Sequence, residues 1–182
     1  MKIFGIDPGS YRTGYGCIET TGSRHRMVIS GAIQTPALAT FSEKLLTIHT
    51  RLAVLLDQCR PDCVAIENLF HASNARSALK LGHARGVAML AAIEAGLEVA
   101  EYTPAEIKRA VVGYGRADKH QVQQMVKLIL GLTAVPAPHD AADALAIAIC
   151  HVHSIAPGGA VLPVQPRSKA ATSWRHYRPA RS

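Results

Sequence analysis

The chain has 182 residues and a mass of 19.4 kDa, enough for one domain with a packed core. Hydrophobic residues make up 48% and charged residues 18%, which excludes an intrinsically disordered protein, and no apolar run reaches the roughly 20 residues that span a bilayer. The net charge of +7 suits an anionic partner, nucleic acid first.

Lys2–Ile6 is a short apolar run bounded by Asp7-Pro8-Gly9, which predicts a buried strand followed by a turn. Gly14–Glu19 predicts a second strand returning as a hairpin, and Met27–Gln34 a third that stops before Pro36. Leu45, Ile48, Leu52, Leu55 and Leu56 have helical spacing within Phe41–Gln58, with Ser42-Glu43 as its expected start. Cys63–Ile66 reads as a strand ending on Glu67, and Ser73–Ala95 as an Ala-rich helix capped by Ser or Asn and stopped at Gly96. Leu97–Tyr102 is a fifth strand. Thr103-Pro104 opens a helix, a Gly-rich loop follows at Val112–Arg116, and two further helices occupy Lys119–Leu130 and His139–His153. This order predicts an α/β fold: a mixed five-stranded sheet, antiparallel at one side and parallel at the other, with helices on both faces. One domain is expected over 1–156. The remainder, 157–182, is a basic tail without periodicity, expected to be disordered; it carries Arg167, Lys169, Arg175, Arg178 and Arg181 and no acid. The N-terminus enters a strand almost at once with no secretory pattern, so a cytoplasmic location is expected. Cys17, Cys59, Cys63 and Cys150 form no disulfide framework; buried thiols are favoured over a zinc site built with His151 and His153.

There are 13 acidic residues, and four stand out. Asp7 and Glu67 end two apolar strands, and if those strands are parallel neighbours both carboxylates lie at one sheet edge, where open α/β sheets place their sites. Asp140 and Asp143 are three apart, on one face of a helix that is otherwise nearly all apolar. Each has an ordinary alternative: an Asx turn for Asp7, a solvated strand end for Glu67, and a cap or dipole role for the other two. Together they would repel one another unless a cation sat among them. All-oxygen ligation selects Mg²⁺ or Mn²⁺ over zinc.

Gly5-Ile6-Asp7-Pro8-Gly9-Ser10, Thr13-Gly14-Tyr15-Gly16, Ala65-Ile66-Glu67, Ser77-Ala78-Leu79-Lys80-Leu81-Gly82, Ala84-Arg85-Gly86-Val87-Ala88 and Asp140-Ala141-Ala142-Asp143-Ala144-Leu145-Ala146 together resemble the RuvC family of bacterial Holliday-junction resolvases. The match runs in order from Lys2 to about His153. It implies a ribonuclease-H-like fold and a homodimeric endonuclease that resolves four-way junction DNA by paired symmetric nicks, in recombination and repair. It further implies that Asp7, Glu67, Asp140 and Asp143 are the catalytic acids holding two Mg²⁺ per subunit, with Mn²⁺ able to substitute. The products would carry a 5′-phosphate and a 3′-hydroxyl, and the RuvA–RuvB branch-migration complex would be a partner. Lys108 and Lys119 match family lysines thought to act near the scissile phosphate, and Phe70 matches the aromatic at the junction centre. Arg109 and Arg116 lie in the same basic stretch and are expected to contact DNA, although a solvated helix face would explain that stretch equally simply.

Three choices stay open in the sequence. His139, next to Asp140, fits a helix-start or supporting role better than a ligand role, being about 100° away on the helix. Gly82 and Gly86 allow close approach of their helix either to its own sheet or to a twin across a two-fold axis. The rival functions are a small actin-like ATPase, suggested by Asp7-Pro8-Gly9 and Thr13-Gly14, and a junction-binding protein that does not cut.

Overall fold

The computed structural model describes residues 1–68 and 74–155. Phe70 and the basic tail lie outside the described residues. Five strands, β1 (Lys2–Asp7), β2 (Arg12–Thr21), β3 (Arg24–Gln34), β4 (Cys63–Glu67) and β5 (Val99–Tyr102), form one sheet in the order β3-β2-β1-β4-β5. The first three pair antiparallel, and β1, β4 and β5 pair parallel. The helices are α1 (Phe41–Cys59), α2 (Ala75–Glu94), α3 (Pro104–Val112), α4 (Lys119–Ile129) and α5 (His139–Ile155). This is the mixed α/β architecture expected from the element order.

Alternation along the strands sorts the side chains into two cores. Phe4, Ile6, Val64 and Ile66 meet Ile48, Leu52 and Leu56 of α1 and Ala84, Ala88, Ala91 and Ala92 of α2. Ile3, Cys63 and Ala65 face α3, α4 and α5 on the other side. The same period of two carries Asp7 and Glu67 to the α5 face. From Ala141 to Val152 every residue of α5 is buried except Asp143.

Two glycines let α5 lie flat on the strands. A Cβ on Gly5 would stand 2.0 Å from the Ala144 carbonyl oxygen, and one on Gly14 would stand 2.0 Å from that of Asp140. Since Gly14 is the β2 partner of Asp7, this close approach brings the start of α5 over the end of β1.

The helix starts are set by side-chain caps. α1 begins at Thr40 rather than Ser42: Thr40 and Glu43 close a reciprocal capping box, which requires a three-residue separation that Ser42-Glu43 lacks. Asn74 caps α2, Thr103 with Glu106 caps α3, and Asp118 with Gln121 caps α4. The glycine face of α2 does not pack on its own sheet. Ideal Cβ atoms on Gly82 and Gly86 have nothing within 4 Å, and Leu79, Leu90 and Ile93 on that helix are 65%, 50% and 59% exposed. All four cysteines are free and buried. No described helix is long and apolar enough to cross a membrane.

Candidate active site

Asp7 and Glu67 end adjacent parallel strands, with Ile6 paired to Ile66 one step earlier. Their carboxyl groups are hydrogen-bonded to each other. Neither is held by the turn: the Pro8-Gly9 bend is closed by Thr13, whose hydroxyl donates to the Gly9 carbonyl oxygen at 2.8 Å. The end of β4 is fixed from behind. Arg85 Nε donates to the Glu67 carbonyl oxygen at 3.3 Å, while its guanidinium pairs with Glu101. The Asn68 amide donates to the Tyr102 carbonyl oxygen at 2.7 Å.

The first turn of α5 completes the group. Asp143 Oδ2 lies 2.7 Å from Lys119 Nζ, and Asp140 Oδ2 lies 3.4 Å from Arg12 Nη1. Asp140 is therefore engaged by a cation rather than by the helix end, where Ala141 N–H donates to the Pro138 carbonyl oxygen at 2.9 Å. Asp7, Glu67, Lys108, Lys119 and Asp143 line one cavity of about 230 Å³, walled by Pro104, Ile107, Val122, Ala146 and Ile147.

Burial and mutual repulsion dominate the electrostatics. Burial, then the charges of Glu67, Asp143 and Asp140, push Asp7 up from 3.8 to about 8 against the pull of Lys119. Burial and Asp143 push Glu67 up to about 7, opposed by the Asp7 hydrogen bond, Lys119 and Lys108. Burial disfavours the Lys119 ammonium, but its bond to Asp143 and the charges of Asp143, Asp7 and Asp140 outweigh this and raise it.

The donor set is all carboxylate, the chemistry that a hard cation such as Mg²⁺ selects; burial first, and the neighbouring carboxylates second, raise Asp7 and Glu67. Among the described residues no three acidic, histidine or cysteine side chains converge on a single ligand point. Asp140 and Asp143 are each engaged by a cation, Arg12 and Lys119 respectively.

Of the remaining expected site residues, Lys108 and Lys119 stand at the cavity. Arg109 and Arg116 are exposed and, among the described residues, make no ion pair. Lys127 is eight residues beyond Lys119 on α4, about 12 Å along the axis, so the basic stretch is not one surface. Asp118, its one acid, accepts from Gln121 N–H at 2.9 Å as a cap. His139 is exposed and its Nδ1 meets the side-chain amide of buried Gln123 at 2.8 Å, which fits the helix-start role. The sequence reading missed Arg12. Its only local signal was a basic residue five positions after Asp7, two before the Gly14 that pairs with Asp7.

Comparison with known proteins is consistent along nearly the whole chain. The family described as crossover junction endodeoxyribonuclease RuvC matches residues 3–151. A protein of that name from Ruminiclostridium cellulolyticum is 51% identical over 154 residues, covering 85% of this chain and 93% of its own. One from Trichlorobacter lovleyi is 48% identical over 179 residues, covering 98% and 100%. Among solved structures, T. thermophilus RuvC in complex with Holliday junction substrate superposes with a TM-score of 0.79 at 37% identity, covering 84% of this chain and 93% of that one.

Proposed function

Because this chain belongs to the RuvC family of crossover junction endodeoxyribonucleases, we propose that it resolves four-way junctions by paired symmetric nicks, with Asp7, Glu67, Asp140 and Asp143 holding two Mg²⁺ ions. The observation that carries this reading is the cavity shared by Asp7, Glu67, Asp143, Lys108 and Lys119, with Asp140 one turn earlier on α5 and its charge felt by Asp7. Mn²⁺ shares the preference for oxygen ligands and can substitute.

The bound ions supply Lewis-acid stabilisation of charge on the attacking and leaving oxygens of an in-line displacement. The chain's own groups do the rest. Asp7 retains a proton near neutral pH in the metal-free protein and shares it with Glu67. Bound cations would favour the ionised form of both acids. Lys119 exchanges its bond to Asp143 for a phosphate oxygen, and Lys108 approaches from α3; both balance the extra charge of the pentacovalent phosphate. Arg12 leaves Asp140 in the same way and grips the strand on the other flank. The products are a 5′-phosphate and a 3′-hydroxyl.

Two sites are needed for two nicks. The open face of α2, with Ala78, Leu79, Gly82, His83, Gly86, Val87 and Leu90, is the self-complementary surface we assign to the homodimer. Phe70, three residues after Glu67, stacks on a junction base. Arg109, Arg116 and the tail of 157–182 contact phosphates outside the cut, while the nuclease domain spans 1–156. In the cell the enzyme works in the cytoplasm with the RuvA–RuvB complex.

The test is to incubate the protein with Mg²⁺ and either a synthetic four-way junction or a matched linear duplex, mapping cuts on every strand. Symmetric nicks confined to the junction are expected. Equal cutting of the duplex would overturn the assignment.

A further inference from the structure

On the face of the sheet opposite Lys108 and Lys119, a second, smaller cavity of about 140 Å³ is lined by Ser10, Tyr11, Ala39, Phe41, Lys44 and Lys80. Lys44 is only 7% exposed. Its ammonium makes one long bond, 3.4 Å, to the Ala37 carbonyl oxygen and stands 4.4 Å from the centroid of the Tyr11 ring. The Lys80 ammonium stands 5.8 Å from the centroid of Phe41. All 13 acidic side chains of the protein fall among the described residues, and none lies within 4.0 Å of either ammonium. Aromatic faces soften the burial of an ammonium but leave most of its three donors unused. Two cations at one cavity without a counter-charge are costly until an anion joins them.

The position of the cavity says which anion. Ser10 and Tyr11 belong to the turn that joins Asp7 to Arg12, and Ser10 is at most about 11 Å of chain from Asp7. Arg12, which pairs with Asp140, directly follows Tyr11 of the cavity lining, so the cavity adjoins one flank of the carboxylates. We propose that this cavity is a second phosphate site, which takes a backbone phosphodiester of the substrate strand flanking the cut. Lys44, Lys80 and the Ser10 hydroxyl supply its donors, and the Tyr11 ring holds Lys44 in place. The strand is then gripped from both faces of the sheet edge. This deepens the nuclease reading and rests on it.

The test uses the full chain, with chelator present, and a four-way junction carrying one uncharged methylphosphonate linkage at successive positions around the crossover. Wild-type protein loses about tenfold in affinity at one flanking linkage, and Lys80→Gln abolishes that sensitivity while lowering the log–log salt slope by about 0.9. With Mg²⁺, Lys80→Gln shows its deficit mainly as a raised KM for the junction, with kcat/KM falling more than kcat. Lys44→Met gives the same pattern if its melting temperature is preserved; if it unfolds, half-exposed Lys80 decides the matter alone. Identical methylphosphonate profiles for wild type and Lys80→Gln overturn the second site. A wild-type protein that neither prefers nor cuts the junction overturns the nuclease reading instead.

Discussion

Replacing Asp7 with Asn should stabilise the metal-free protein while destroying its activity. In the unfolded chain the Asp7 carboxyl ionises near 3.8, whereas in the native fold it holds its proton to about 8. The native state therefore binds the proton more tightly, so this group's contribution is fully favourable below about pH 4. It is lost progressively as pH rises and is flat again above about 8. At 1.36 kcal/mol per pH unit the interval from 3.8 to 7 caps the penalty at about 4 kcal/mol at neutral pH. Relaxation around an ionised Asp7 brings the expected gain to about 2–4 kcal/mol, or roughly 5–15 °C in melting temperature for a domain of this size. Asn carries no charge at any pH, and its amide can still donate to Glu67. The assay is a set of thermal melts of both proteins with chelator from pH 4 to pH 9. The gap should open from near zero at the acid end and be widest above pH 8. Added Mg²⁺ should raise the melting temperature of the wild type more than that of Asp7→Asn, since only the former has the full ligand set. A gap independent of pH, or a less stable variant at pH 8, would refute the assignment of buried repulsion to Asp7.

Glu67→Gln, Asp140→Asn and Asp143→Asn should each abolish cleavage yet leave junction binding in chelator intact, as gel-shift titration alongside strand mapping will show; near-normal cutting by any of them removes that acid from the site. Gly86→Arg on the open face of α2 should leave the fold intact, because nothing lies within 4 Å of its Cβ position, but yield a monomer in sedimentation. A dimer that survives this change uses another surface. Phe70→Ala should weaken junction cleavage at a cost of about 1–3 kcal/mol, read by 2-aminopurine fluorescence at the crossover; an unchanged signal makes it a packing residue. Truncation before Arg167 should lower the salt slope of binding by about 0.9 for each phosphate the tail neutralises, and equal slopes make the tail a bystander.

The acids were legible in the sequence because their positions are tied to simple periods. Asp7 and Glu67 end two apolar runs, which share a sheet edge once the strands are parallel neighbours, and a spacing of three put Asp140 and Asp143 on one face of α5. The basic partners were harder to read. Lys119 meets Asp143 only because Asp118 caps α4 there, whereas Lys127 on the same helix is carried away by its length. Arg12 reaches Asp140 across 128 positions of sequence, a contact that exists only once Gly14 has admitted the backbone of α5. Ser42 was a plausible helix start by composition, but cap geometry depends on the exact separation from Glu43 and chose Thr40. The two ways of packing Gly82 and Gly86 were indistinguishable by spacing, since which face of α2 meets the sheet is decided by Ala84, Ala88, Ala91 and Ala92.

The anchoring of α5 against Gly5 and Gly14 has a mechanical consequence. Asp140 and Asp143 ride on a helix clamped to β1 and β2, so their spacing to Asp7 is as stiff as the core itself. Lys108 and Lys119 sit instead on α3 and α4, two short helices that pack chiefly on α5 and on each other, outside the sheet. The four carboxylates with Arg12, and the two lysines, thus belong to a rigid body and a lighter outrigger joined along one helix. Local opening of α3 and α4 costs less than opening the sheet, so their amides should exchange with deuterium well before those of β1 and α5.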